Sequence, residues 1–206
     1  MDDALLAVLR PLAGEDAGKT GRPRAVLAAL CLADEPNVSE ETAQEVLTAF
    51  ATNVGRRDGE GFEKTTLRAA AVELGACMWS PLLKKPLITE FCRRSPEARS
   101  APGDLWGMVE VSGWARSGLP LKACFEGLVP RLQSDDRVEA LSAALAAMQA
   151  ALQGKAADVP GLIERLFVLL EQREPASHAA AWALFWLNGG YSTPRGPQHG
   201  SLPGRR

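Results

Sequence analysis

Apolar residues recur along the whole chain at the three- and four-residue spacing of amphipathic helices, and β-branched residues nowhere alternate with polar ones over a useful length. This pattern predicts an all-α fold of about ten helices. The predicted helices lie at about 2–12, 22–35, 39–54, 62–78, 81–94, 103–116, 119–133, 135–153, 158–172 and 176–188. Ser39 is placed to cap the third helix. Glycines suited to left-handed helix ends follow several of the others, namely Gly55, Gly118, Gly154 and Gly189.

Every second predicted helix carries its apolar or small residues at i, i+4, i+7 and i+10. The four sets are Leu67, Ala71, Leu74 and Cys77; Leu105, Val109, Ser112 and Ala115; Val138, Ser142, Leu145 and Met148; and Ser177, Ala181, Leu184 and Leu187. The intervening helices carry stripes of their own: Leu83, Leu87 and Phe91; Phe125, Leu128 and Leu132; and Leu162, Leu166 and Leu170. Hairpins built from such helices bury their remaining apolar surface by stacking on one another. The sequence therefore predicts stacked antiparallel hairpins, with an irregular helical bundle as the alternative.

The segment 128–140 reads Leu-Val-Pro-Arg-Leu-Gln-Ser-Asp-Asp-Arg-Val-Glu-Ala and resembles a HEAT repeat, in which a proline-bearing helix meets an acidic turn and a second helix follows. The segment 67–71, Leu-Arg-Ala-Ala-Ala, is similar to the second-helix motif of the same repeat. The resemblance covers residues 22–188. It implies an α-solenoid that serves as a protein-binding scaffold, with its second helices lining the concave face.

Composition separates the chain into two parts. Residues 1–188 are predicted to form a single helical-repeat domain. In residues 189–206, eight of 18 positions are Gly or Pro and Leu202 is the only aliphatic residue. Such a segment buries too little surface to offset its ordering entropy, which predicts a flexible tail.

Charge and cysteine content restrict the classes of partner and cofactor. The formal net charge is −2, whereas phosphate binding calls for an excess of Lys and Arg, so nucleic acid is not the expected partner. No run of 18 apolar residues occurs, and the chain starts with an acidic segment, so we expect a cytoplasmic protein without a membrane span. The four cysteines have no zinc-site spacing and are expected to be buried thiols. Neither a cofactor nor a metal is expected.

Two sequence features leave alternative functions open. The segment 13–20 matches the permissive pattern of a phosphate-binding loop, which would make the chain a nucleotide-binding enzyme. Glu15 and Asp16 would point negative charge at the phosphates, so a plain loop between helices is the preferred interpretation. A basic cluster formed by Lys84, Lys85, Arg93 and Arg94 supports the other alternative, a HEAT-like protein that contacts nucleic acid on a basic concave face.

The C-terminal end of the repeat is the predicted interaction surface. The helix at 176–188 reads as apolar nearly all round, and no further hairpin follows to cover it. The spacing places Ala181 inward and leaves aromatic and histidine side chains on other faces, where exposed rings often anchor partners. The predicted partner-binding residues are Trp106, His178, Trp182 and Trp186. A protein partner, a second copy of the chain or its own tail could cover this end. No arrangement of nucleophile and base is evident, so the sequence favours a non-enzymatic scaffold or adaptor without catalytic residues.

Overall fold

The computed structural model describes residues 1–54, 62–154 and 159–189, with the backbone alone at 17–19 and 62–64. Over these ranges the chain forms ten α-helices and one short 3₁₀ turn at Pro96–Ala98, and no strand. The helices are α1 (Asp2–Leu9), α2 (Ala17–Ala33), α3 (Glu40–Asn53), α4 (Phe62–Ala76), α5 (Ser80–Arg93), α6 (Ser100–Arg116), α7 (Leu121–Leu132), α8 (Arg137–Gln153), α9 (Leu162–Leu170) and α10 (Ala176–Leu187). Within the described ranges no helix is both long and apolar enough to cross a bilayer. The predicted all-α fold is confirmed, whereas the predicted tail lies outside the described residues except for Gly189.

Local signals set several of the helix ends. The Ser39 hydroxyl accepts a hydrogen bond from the Thr42 N–H at 3.2 Å, so the predicted N-cap of α3 is confirmed. Gly118 and Gly189 have positive φ angles of 69° and 100°, as expected after α6 and α10. Gly154 is extended instead, with a φ angle of 178°, so a left-handed end of α8 was wrong. Gly55 lies outside the described residues.

The helices pack in two layers. In one layer the even-numbered helices follow one another from α2 through α4, α6 and α8 to α10, and each packs against the next. The odd-numbered helices form the other layer, in which α1 packs on α3, α3 on α5, and α7 on α9. Contacts between α5 and α6, α7 and α8, and α9 and α10 join the layers. Neighbouring helices are thus stacked along the chain order, as the hairpin pattern predicts.

The stripes of the odd-numbered helices form the centre of the core. Leu83, Leu87 and Phe91 of α5 are completely buried, and so are Phe125 and Leu128 of α7. In α9 the buried stripe ends at Leu169, whereas Leu170 is exposed, so its predicted place in the core was wrong. All four cysteines are free thiols, and two of the four predicted buried thiols, Cys31 and Cys92, are only half-buried, whereas Cys77 and Cys124 are buried.

The even-numbered helices approach one another so closely that two positions between them admit only glycine. A Cβ atom on Gly75 of α4 would overlap the Val109 carbonyl oxygen of α6. A Cβ atom on Gly107 of α6 would lie 2.6 Å from the Cβ of Gln149 and 2.9 Å from the Leu145 carbonyl oxygen, both in α8. Both clashes involve backbone atoms or a Cβ, which cannot rotate away. Backbone contact therefore fixes the distances from α4 to α6 and from α6 to α8.

Gly75→Ala is expected to lower the free energy of unfolding, because the added methyl group forces α4 and α6 apart. Overpacking of this kind costs about 1–3 kcal/mol, more than the gain in helix propensity of about 1 kcal/mol. Urea unfolding followed by circular dichroism measures the change. The matched control is Gly127→Ala in α7, where a Cβ meets no atom within 4 Å and alanine is expected to stabilise the chain. Equal stabilisation by both substitutions would contradict the close approach of α4 and α6.

A polar network centred on Arg131 connects four helices across both layers. The Arg131 guanidinium of α7 donates to Glu110 of α6 and to Glu139 of α8. A third hydrogen bond goes from Arg131 to the Ser142 hydroxyl at 3.0 Å, and Lys84 of α5 donates to Glu139 at 2.7 Å. Burial raises the pKa of Glu139, but the two cations more than offset this and hold it below its ordinary value. Each carboxylate of the network is thus paired, which keeps its burial from destabilising the fold.

Arg131→Ala is expected to lower the free energy of unfolding by about 3 kcal/mol, because Glu110 and Glu139 then lose their shared cation in a largely buried place. Lys122→Ala serves as the control, since Lys122 and Glu126 form an exposed ion pair of 3.9 Å that contributes about 0.5 kcal/mol. Urea unfolding of both variants measures the difference. A loss as small as that of the control would contradict a structural role for the network.

Candidate protein-interaction surface

Trp106 lies in the core and not on a binding face. Its side chain in α6 is 3% exposed, and the indole N–H donates to the Ser142 hydroxyl of α8 at 2.8 Å. The prediction that Trp106 faces a partner is therefore corrected. The repeat frame failed here because the neighbouring glycines bring α6 so close to α8 that the indole is enclosed between the two helices.

His178 and Trp182 fasten the last helix to the preceding ones. Their ring centroids lie 4.3 Å apart, and each lies 6.3 Å from the ring of Phe91 in α5. The Arg99 guanidinium lies over the same Phe91 ring at 5.8 Å, a cation–π contact. Both α10 side chains are half-buried. They hold α10 against α5 and α6, and only part of each remains accessible to a partner.

Helix α10 is rotated relative to the prediction. Its buried residues are alanines and one leucine: Ala176, Ala179, Ala180, Ala183 and Leu184. Ala181, which was predicted to point inward, is exposed. Small side chains let α10 lie close to α8, while the larger rings occupy the flanks where the space is wider. The prediction for Ala181 was therefore wrong, because the apolar residues of α10 surround the helix and do not show which side is inward.

Both helices of the last hairpin expose apolar side chains. On α9, Ile163, Phe167 and Leu170 are 36%, 52% and 37% exposed and follow one another at i, i+4 and i+7. On α10, Phe185 is 41% exposed and Ala181, one turn earlier, is exposed as well. We call these five residues the terminal face.

The terminal face points away from the rest of the stack. On the opposite flank of α9, Arg165 and Val168 line a groove with Leu132 of α7. On α10, Ala181 and Phe185 lie away from the side that buries Ala179, Ala180 and Ala183. Trp182, which contacts Phe91, lies between these two sides. The terminal face thus lies on the sides of α9 and α10 that do not pack against the preceding helices.

Acidic residues border the terminal face. Glu164 of α9 and Glu171, which follows the last residue of α9, are exposed next to Phe167. On α10, Phe185 makes an edge-to-face contact with half-buried Trp186, with the ring centroids 5.2 Å apart. Trp186 thus supports the exposed ring from one side. The terminal face combines an aromatic and aliphatic centre with a negatively charged edge.

The sequence patterns did not predict that α9 contributes exposed residues to the terminal face, although a signal for them exists. Seven of the nine residues in α9 are apolar, which is more than a single buried stripe requires. Only Leu162, Leu166 and Leu169 are buried. The excess of apolar residues in such a short helix indicates a second apolar surface.

The predicted basic cluster lies on α5, in the layer of odd-numbered helices, and its cations are mostly paired. Lys84 contacts Glu139 at 2.7 Å, and Glu90 contacts Arg93 at 2.7 Å and Arg94 at 3.4 Å. The remaining member, Lys85, lines an open cavity of about 480 Å³ between α3 and α5, together with Glu90. The four cations of the cluster face two carboxylates, Glu90 and Glu139, and Glu139 also pairs with Arg131, so the cluster keeps a positive charge. The resemblance had placed the concave face on the other layer.

The segment 13–20 lacks the setting of a phosphate loop in the part that the structure describes. Helix α1 precedes it, where such a loop follows a buried strand, and its second half already belongs to α2. The Glu15 carboxylate accepts hydrogen bonds from Arg24 at 2.8 and 2.9 Å. This pair lowers the pKa of Glu15 and keeps its negative charge in the loop.

His178 gives the last hairpin a pH dependence that can be measured. Burial lowers the pKa of its imidazole below 6.5, and Arg99 lowers it further, while Glu174 and Glu97 act in the opposite direction. The folded chain then binds fewer protons than the unfolded chain near that pH. The free energy of unfolding is therefore expected to decrease as the pH falls from about 7 to about 5.

An NMR titration is expected to place the pKa of His178 below 6.5. His178→Gln should flatten the decrease in stability over this pH range, which lies above the titration of the carboxylates. The chain contains one other histidine, His199, and His199→Gln identifies its signal. A pKa of His178 above 6.5 would contradict the burial of its ring.

Comparisons of the chain with protein-family models, with curated proteins and with solved structures gave no match. Within the described residues, no group of three or more His, Cys, Asp or Glu side chains is arranged to hold a metal ion. The exposed apolar side chains of the terminal face are the feature of the last hairpin that bears on function.

Proposed function

We propose that the chain is a HEAT-like α-solenoid that acts as a non-enzymatic scaffold and binds a protein partner on the terminal face. The stacking of successive helices in two layers supports the repeat. So does the segment 128–140, whose proline-bearing first part falls in α7 and whose Asp136 caps α8. Repeats of this kind offer extended binding surfaces.

The observation that carries the proposal is the exposure of large apolar side chains at the end of the stack. End repeats of solenoids normally present a polar outer face, because nothing follows to cover them. Here Phe167 and Phe185 are among the exposed residues, at 52% and 41%. Contiguous exposed apolar surface on a folded protein marks an interaction site.

The partner that fits best is an amphipathic helix with basic flanks. The terminal face lies where the next helices of the stack would pack, so a helix from another protein can continue the packing. Its apolar stripe would cover Phe167 and Phe185. Lysine or arginine residues beside the stripe would meet Glu164 and Glu171, which selects among helices by charge.

The double substitution Phe167→Ser and Phe185→Ser is expected to abolish partner binding while leaving the fold intact. Both rings are exposed, so the change in stability should stay within about 0.5 kcal/mol per site. Affinity capture from the source cells, followed by quantitative mass spectrometry, compares the parent with this variant. A captured protein is then purified, and its bound segment is mapped by hydrogen exchange.

Val72→Ser is the matched control, because Val72 is an exposed apolar residue of α4, far from the last hairpin. The proposal holds if a basic amphipathic helix binds the parent and the control but not the double variant. It fails if all three chains capture the same proteins, or if the mapped segment carries acidic flanks.

Trp182→Ser tests how the rings of α10 are divided between packing and binding. Because Trp182 packs on Phe91 and His178, its loss is expected to lower the free energy of unfolding by about 3 kcal/mol. Urea unfolding measures this change. A loss of partner binding without any loss of stability would instead return Trp182 to the binding surface.

A further inference from the structure

A second surface feature lies on the other side of α9, away from the terminal face. The turn between α7 and α8 and the turn between α9 and α10 enclose an open groove of about 690 Å³. Arg137, Arg165 and Arg173 line this groove, one from the start of α8, one from α9 and one from the turn before α10. This volume is in the range of ligand sites in proteins.

The charge of the groove is positive. Besides the three arginines, it is lined by two carboxylates, Asp135 and Glu174. The Glu174 carboxylate is already paired with Arg99, whose guanidinium lies 2.6 Å away and is nearly buried. Three cations against the one remaining carboxylate leave a local net charge of 3 − 1 = +2.

Contacts within the protein position two of the arginines. Arg137 donates to the backbone oxygen of Glu174 at 3.3 Å, which connects the start of α8 with the turn before α10. The side-chain amide of Gln133 lies against the Arg165 guanidinium and accepts from it. Both arginines are exposed apart from these contacts. Two guanidinium groups are thus held at the rim of the groove before any ligand arrives, which lowers the entropy lost on binding.

The floor of the groove is apolar. Leu132, Leu141 and Leu169 form an apolar floor, with Val168 exposed beside them. The surface offers apolar contact in its centre and positive potential along its rim.

We propose that this groove binds an extended acidic peptide segment of a protein partner, with carboxylates on Arg165 and Arg173 and an apolar side chain on the floor. Arginine is the residue best suited to bidentate pairing with carboxylates. The groove is open to solvent, so a peptide segment can enter it. This site is separate from the terminal face, and its failure or success is independent of the function proposed above.

Fluorescence anisotropy with the full chain tests the proposal directly. The probe is a fluorescein-labelled peptide of repeating Glu-Glu-Leu, and the matched peptide of repeating Gln-Gln-Leu has the same length without the charges. The acidic peptide is expected to bind and the neutral one not. Its affinity should fall as salt is raised, since the contacts are exposed ion pairs.

Arg165→Gln and Arg173→Gln are each expected to weaken binding of the acidic peptide about tenfold, the effect of losing one hydrogen-bonded charge pair. Asp135→Asn should tighten binding about threefold, because it removes the remaining negative charge from the rim. Arg68→Gln is the matched control: it removes an exposed arginine of α4 and should leave the affinity unchanged. Circular dichroism verifies that each variant has the helix content of the parent.

Three results would overturn the proposal: equal binding of the acidic and neutral peptides, equal affinities for Arg68→Gln and the two groove variants, or no binding by the parent. A polynucleotide that displaces the acidic peptide from the groove at lower concentration than the unlabelled peptide would assign the site to phosphate and would equally overturn it.

Discussion

The close approach of the even-numbered helices is the constraint on which the rest of the fold depends. Gly75 and Gly107 let α6 lie in backbone contact with α4 and α8, and a run of small side chains does the same between α8 and α10. The Trp106 indole is enclosed between α6 and α8, where it donates to the Ser142 hydroxyl. Trp182 and Phe91 pack against each other and hold α10 against α5. Close packing of this kind restricts each buried side chain to one position.

Each hairpin in such a stack exposes the surface that the next hairpin would cover. The terminal face is this surface on the hairpin of α9 and α10. Charged residues in place of Phe167 and Phe185 would give this end of the stack a polar surface without changing the core, since both side chains are exposed. Packing of the fold therefore does not require Phe167 and Phe185 to be apolar. This distinction is why function is assigned to these residues and not to the more abundant buried rings.

The sequence predicts the helices and the stripes of α5 and α7 because polar and apolar residues contrast strongly there. In α10 this contrast is missing, so the pattern could not reveal that Ala181 faces outward and that Trp182 faces the stack. The pairing of charges could not be predicted either. Lys84 donates to Glu139, which lies 55 positions further along the chain, whereas a local count of charges shows only the excess of cations on α5. Helix periodicity is a local property, whereas the phase of α10 and the pairing of Lys84 depend on the tertiary contacts.

Helix α9 shows how a repeat can carry two surfaces of opposite character on one short element. Only Leu162, Leu166 and Leu169 are needed to hold it on its neighbours, a stripe that takes up one side of the helix. One free flank bears the apolar row around Phe167 with its acidic border, and the other bears Arg165 above the groove. Because the two flanks point in different directions, a basic helix on one and an acidic segment on the other would not compete for space. The proposed scaffold would carry two binding surfaces of distinct charge in this way, with exposed apolar area on a helix of nine residues.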